Sequence, residues 1–159
     1  MLIDPVSLAV IGGAIALAGG LAGSSIGIGI AGSAGAATLS EEPGQFRNVI
    51  VLASLPMTQS FYGLIVLILI LQIVVRNIAE MSDPGGVGFA VLGIGIIAAL
   101  AEGFSAAYQG SVCASGISLL PKTKGTILTS SMILAVFVEL IGVLGLVFTI
   151  LALTMLGVF

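Results

Sequence analysis

The 4 basic and 7 acidic residues of this 159-residue chain are gathered almost entirely into short breaks, and the sequence between the breaks is apolar and uncharged. Asp4 precedes a charge-free stretch from Pro5 to Ser40. Glu41, Glu42 and Arg47 then surround Pro43-Gly44, and Asn48 to Val75 is free of charge again. Arg76, Glu80 and Asp83 mark the next break, and Lys122 and Lys124 the last. Each apolar segment is about 30 residues, or roughly 45 Å as an α-helix, which exceeds the ~30 Å hydrocarbon core of a bilayer. A β-barrel would need strands of only about 10 residues with strict alternation, and no such alternation is present. The expected fold is therefore an all-α membrane protein of four transmembrane helices, at roughly 5–39, 47–79, 84–119 and 124–158. Asp4-Pro5 and Asp83-Pro84 read as helix starts, with Asp as N-cap and Pro at the first helical position.

Composition narrows the function. Only 7% of residues are charged and 58% are hydrophobic, whereas about a quarter of a soluble domain is charged. No basic patch, His or Trp is present, so nucleic acid is excluded as a partner and transition metals have little to bind. Cys113 stands alone in an apolar run and reads as a packing residue. The N-terminus has no positive region, and the apolar stretch after it is too long for a signal peptide, so the first helix is expected to remain in the mature protein. Arg47, Lys122 and Lys124 fall in the first and third loops, and only Arg76 falls on the other side. The positive-inside rule then puts loops 1–2 and 3–4 in the cytoplasm.

The sequence repeats at an offset of about 80 residues. Gly19, Gly23, Gly27, Ala31 and Gly35 recur every fourth position, and Ala99, Gly103, Ala107, Ser111 and Ser115 do the same one repeat later. Such stripes let helix backbones approach closely in lipid. The second and fourth helices are bulky instead, from Leu64 to Val75 and from Leu144 to Leu156, and are expected to face lipid. The chain reads as two fused helical hairpins, 1–80 and 81–159, with the membrane carboxylate in the second.

A mid-membrane carboxylate costs about 2.5–3.5 kcal/mol on insertion scales, so it points to function and to a partner. Glu139 has charge-free sequence on both sides. If the third loop turns near Lys124, Gln109 and Glu139 lie at one depth, because they are equally far from it in sequence. The repeat carries Glu139 back to Gln59. Around Gln59 stand Leu55, Thr58 and Tyr62, and Pro56 frees a backbone carbonyl one turn back. The set is one carboxylate, amide oxygens, a hydroxyl, a phenol and a carbonyl. These hard oxygen donors carry one negative charge in total, which one monovalent cation neutralises. A proton needs only the carboxylate, and the other polar groups would then be desolvated with little return. The set favours Na⁺ over H⁺.

Leu55-Pro-Met-Thr58-Gln59-Ser-Phe-Tyr62-Gly63, Gln109-Gly110 and Glu139 resemble the proteolipid (rotor-ring) subunit of V-type and V/A-type ATPases, and in particular the sodium-transporting bacterial subunit K. The resemblance covers the whole chain. It implies that Leu55 (through its carbonyl), Thr58, Gln59, Gln109 and Glu139 bind Na⁺, with Tyr62 hydrogen-bonding Glu139. It also implies a homo-oligomeric ring in a prokaryotic cell membrane, turned by a central-stalk subunit on the cytoplasmic side against a stator subunit with an arginine. Such a subunit is not catalytic alone. It moves ions while ATP is hydrolysed or made elsewhere in the complex.

Glu102 departs from that pattern. It lies on the face of Gln109, about 10 Å further along the helix. It reads either as a protonated or hydrogen-bonded carboxyl near Ser105 on the face between subunits, or as an ion-pathway or second-site residue. Rival functions are the same rotor subunit with H⁺ as its ion, a small membrane exporter of cations or drugs, and a tetraspan scaffold. An exporter pocket is usually aromatic, and this chain is 6% aromatic. A scaffold leaves the oxygen cluster unexplained.

Overall fold

The computed structural model describes residues 4–159, so residues 1–3 of the expected first hairpin lie outside it. Among the described residues, four helices are long and apolar enough to cross a membrane: α1 (Pro5–Glu41), α2 (Pro43–Glu80), α3 (Val87–Thr123) and α4 (Leu128–Met155). Asp4 caps α1 with Pro5 at its first position, and its carboxylate accepts from the Ser7 N–H and hydroxyl, each at 2.8 Å. Those bonds hold the Asp4 carboxyl below its ordinary range. The cap is complete above the unfolded carboxylate pKa and is lost as pH falls through the lower folded value.

The start of α3 differs from expectation. Asp83-Pro84 does not begin the helix. Asp83 accepts from the Gly85 N–H at 3.1 Å in a turn, Gly85 adopts φ +46°, and α3 begins at Val87. The two glycines after Pro84 make a turn cheaper than a first helical turn. At its other end α3 runs on through Pro121 to Thr123. Pro121 cannot bond the Ile117 carbonyl one turn back, and the Thr38 hydroxyl of α1 occupies that carbonyl instead at 3.2 Å. The helix then closes with Lys124 left-handed (φ 50°) and the Gly125 N–H on the Leu120 carbonyl at 3.0 Å, a Schellman ending. This fixes the third turn at Lys124-Gly125, and α4 begins at Leu128.

Glycines set the packing. Gly12 lies against Leu92, Gly19 against Ala99, Gly23 against Gly103, and Gly27 against Ala106. Contacts that advance together along both helices mean that α1 and α3 run parallel, with equivalent positions of the repeat side by side. Gly13 meets Leu67, Gly20 meets Gln59 and Gly35 meets Val49, so α2 is antiparallel to α1. Gly116 meets Ser131, and Gly142 meets Ser105, so α4 is antiparallel to α3.

The small-residue stripe on α3 is only partly in this seam. Ala99 and Gly103 face α1, while Ser111 and Ser115 are exposed and bond to carbonyls of their own helix. A fourfold spacing turns about 400°, so a strict i, i+4 row drifts about 40° per step and winds off the contact face. The same drift carries Gly35 of α1 round to α2.

Two buried apolar clusters occupy the ends of the bundle. One contains Ala9, Val66, Ile70, Val91 and Leu153; the other contains Ala31, Val49, Leu52, Cys113, Ile117 and Ala135. Between them lies a polar layer in which Gln59, Glu102 and Gln109 are each 0% exposed. The outer faces of α2 and α4 expose Phe61, Ile68, Ile133, Phe137, Ile141 and Phe148, as expected for surfaces that meet lipid.

A Cβ added at Gly95 would overlap the Gly12 backbone, whereas at Gly86 it would meet nothing within 4 Å. Gly95→Ala is expected to destabilise the bundle by about 1–3 kcal/mol through overpacking, read as a lower Tm of the purified protein. Gly86→Ala should leave Tm unchanged.

Candidate cation-binding site

The site is built where α2 is irregular. Pro56 has no N–H, and the chain tightens into a 3₁₀ turn over Leu55–Met57. The Leu55 N–H bonds the Leu52 carbonyl and the Thr58 N–H bonds the Leu55 carbonyl. Helix α3 is aligned to this turn by the glycine seam, and α4 by the Lys124-Gly125 turn.

On α2 the Thr58 hydroxyl lies 3.1 Å from Gln59 Oε1 and 3.3 Å from the Leu55 carbonyl oxygen. Three oxygens thus gather around one hydroxyl proton, which can be given to one acceptor at a time. Gln59 Nε2 donates to Gln109 Oε1 at 2.9 Å and to Ser105 Oγ at 3.0 Å. Gln109 Nε2 donates in turn to Glu139 Oε2 at 3.2 Å and to the Ala135 carbonyl at 3.3 Å. Tyr62 donates its hydroxyl to Glu139 Oε1 at 3.0 Å. Gln109 and Glu139 are therefore at one depth on adjacent antiparallel helices, and Gln109 bridges Glu139 to Gln59.

Glu139 is half-buried, and Gln59 and Gln109 are fully buried. The 4 basic residues of the chain, Arg47, Arg76, Lys122 and Lys124, sit at helix ends. Among the described residues, Glu139 is thus held by neutral donors only.

The structure moves Glu102 away from where its sequence put it. It does not lie on a face between subunits. It is 0% exposed within one chain, its carboxyl directed at Gly142 and Gly145 of α4. The tight crossing of α3 over those glycines encloses it. Two participants were missed from sequence. Ser105 links Gln59 to the Val138 carbonyl, to which it donates at 3.0 Å, and the Ala135 carbonyl holds Gln109. Ser105 stands four residues before Gln109 on the same face, and that spacing was the available signal.

Residues 11–70 and again 92–152 match the ATP synthase C-subunit family. The chain belongs to that family. It carries the family unit twice, one copy in each hairpin, and family members form oligomeric rings. It is 34% identical over 158 residues to the A-type ATP synthase subunit K of Methanocaldococcus jannaschii, covering 99% of this chain and 66% of that protein. It is 36% identical over 125 residues to the V-type sodium ATPase subunit K of Enterococcus hirae, covering 79% of this chain and 76% of that one. The chain thus spans just under two thirds of the Methanocaldococcus relative's length. With its four apolar helices, this family member is an integral, multi-pass membrane protein.

Tyr62→Phe removes one of the two side-chain donors to Glu139. A hydrogen bond to a charged group is worth about 1.5–3 kcal/mol, so cation affinity is expected to fall roughly tenfold to a hundredfold. The measurement is the salt concentration that half-protects Glu139 from carbodiimide modification.

Proposed function

We propose that the protein is the rotor-ring subunit of a rotary ATPase and carries Na⁺ on Glu139 across the membrane. The single observation behind this reading is a half-buried membrane carboxylate held only by neutral donors, Tyr62 and Gln109, beside the oxygens of Leu55, Thr58 and Gln59. Rotation of the Gln109 amide would turn its oxygen toward Glu139 and complete an all-oxygen set of net charge minus one. Such a set suits one hard monovalent cation. The name of the Enterococcus relative, a sodium ATPase subunit, supports Na⁺ over H⁺.

The mechanism follows from charge. With Na⁺ bound, Glu139 is neutral overall and its helix can face hydrocarbon. At a stator subunit an arginine competes for the carboxylate and releases the ion into an aqueous half-channel. An empty, anionic site re-enters lipid only at a cost of several kcal/mol, so rotation and ion movement are tied together. Moving one charge through 100 mV is worth about 2.3 kcal/mol, a load that ATP turnover elsewhere in the complex drives or draws on. The subunit itself is not catalytic. The loops joining α1 to α2 and α3 to α4 share one end of the bundle, where Gly125 meets Gln45 and Asn48. With Arg47, Lys122 and Lys124 there, that end is assigned to the cytoplasm of a prokaryotic cell and to the central stalk.

At fixed pH, Na⁺ is expected to protect Glu139 from carbodiimide while K⁺ at equal ionic strength does not. Labelling that follows pH alone and ignores Na⁺ would assign the ring to H⁺. Glu139→Gln is expected to abolish Na⁺ uptake by vesicles carrying the whole complex, and pumping that survived it would remove Glu139 from the mechanism.

A further inference from the structure

Glu102 is the one buried carboxylate among the described residues that the mechanism above does not use. It is 0% exposed, and neither of its carboxylate oxygens has a hydrogen-bond partner among the described residues. No basic residue lies in the membrane interior to neutralise it, and an unpaired buried carboxylate is costly. The groups beside it are known from Gly142 of α4. A Cβ there would stand 2.8 Å from Glu102 Oε2, 3.1 Å from Ser105 Oγ and 3.2 Å from the Cγ methylene of Gln59. The absence of a side chain at Gly142 is therefore what leaves room for two oxygens to converge. At Gly145 a Cβ would lie 3.5 Å from Glu102 Oε1, so a second glycine extends the same recess.

Ser105 Oγ gives its proton to the Val138 carbonyl and so has none to offer the Glu102 carboxylate beside it. Oxygens that face one recess without bonding each other are the pattern of a cation shell, in which every oxygen points at the ion rather than at its neighbour. We propose that Glu102, with Ser105 Oγ, forms a second Na⁺ site beside Gly142, one turn of α4 from Glu139 and closed within the protomer. Its charge matches that of the first site: one carboxylate and one monovalent cation. Gln59 joins the two sites, its Nε2 donating to Ser105 Oγ and its Oε1 accepting from Thr58. Glu139 is half-exposed and exchanges its ion, whereas Glu102 is enclosed and holds its own.

The proposal rests on the Na⁺ reading of the Glu139 site, and counting ions separates the two. Purified rings saturated with radioactive Na⁺ are expected to hold two ions per protomer, one exchanging fast and one slowly. Glu102→Gln should remove the slow ion and Glu139→Gln the fast one. One ion per protomer, lost only with Glu139→Gln, overturns the second site and leaves the first standing. One ion lost only with Glu102→Gln does the reverse. Infrared spectroscopy of the wild-type ring gives a check that needs no refolded variant. With Glu139 ion-bound and the surface carboxyls ionised at neutral pH, a C=O stretch of a protonated carboxylic acid that persists at Na⁺ saturation belongs to Glu102 and overturns the site, and its absence supports the site.

Discussion

A carboxylate inside hydrocarbon needs a counter-charge, and this chain places none of its own there. Arg47, Arg76, Lys122 and Lys124 sit at helix ends, while Glu102 and Glu139 lie within the polar layer of the bundle. Neutral donors can orient a carboxylate, as Tyr62 and Gln109 do, but they leave its charge in place. A fixed internal salt bridge would have removed the need for an ion, and with it any means of carrying one. That no basic side chain reaches this depth is a property of the fold, and the proposed reading as an ion carrier depends on it.

The glycine seam makes the polar layer affordable. With Gly19 on Ala99 and Gly23 on Gly103, α1 and α3 approach at backbone distance, and α2 and α4 close over the layer from the other side. Gln59 is then fully enclosed by Gly20 of α1, Ser105 and Gln109 of α3, and Gly142 of α4. In lipid no hydrophobic drive pulls helices together, so van der Waals contact along such seams and hydrogen bonds across them must do it. Ser105, Gln59 and Gln109 supply those bonds, so adhesion and the proposed ion binding draw on the same side chains.

Much of this was legible in the sequence because in a membrane charge marks the surface. The four apolar stretches became four helices, and Asp4-Pro5 began the first. Gln109 and Glu139 came together because their distances from Lys124 match and the chain turns there. What was illegible depended on neighbours. Asp83-Pro84 looks like Asp4-Pro5, but two glycines follow it and release the chain into a turn. Pro121 should have ended α3, and the helix continues because Thr38, far away in sequence, takes the carbonyl that proline leaves free. Ser111 and Ser115 keep a spacing that reads as a stripe, yet helical drift turns them outward. Glu102 was placed on the face of Gln109 and near Ser105, where it lies, but on a surface between subunits, since only the packed structure shows that Gly142 and Gly145 open a recess for it within one chain.

The repeat also explains why the two hairpins hold different residues at equivalent positions. Gln59 and Glu139 correspond, and their helices run the same way, but Gln59 is covered by the second hairpin whereas the chain offers nothing to cover Glu139 in the same manner. A neutral amide suits the closed position, where an ion to be carried could not be exchanged. An ionisable group suits the open one. Two repeats related by a similar step but never closed on themselves leave one edge like the face of a next unit, and a head-to-tail contact of that kind generates a ring when the rotation closes. In such a ring the next copy's first hairpin would flank Glu139 as this chain's second hairpin flanks Gln59. The half-exposure of Glu139 within a single chain is then the unfilled half of a contact, and the carboxylate sits where it can be reached from outside the ring and held from within it.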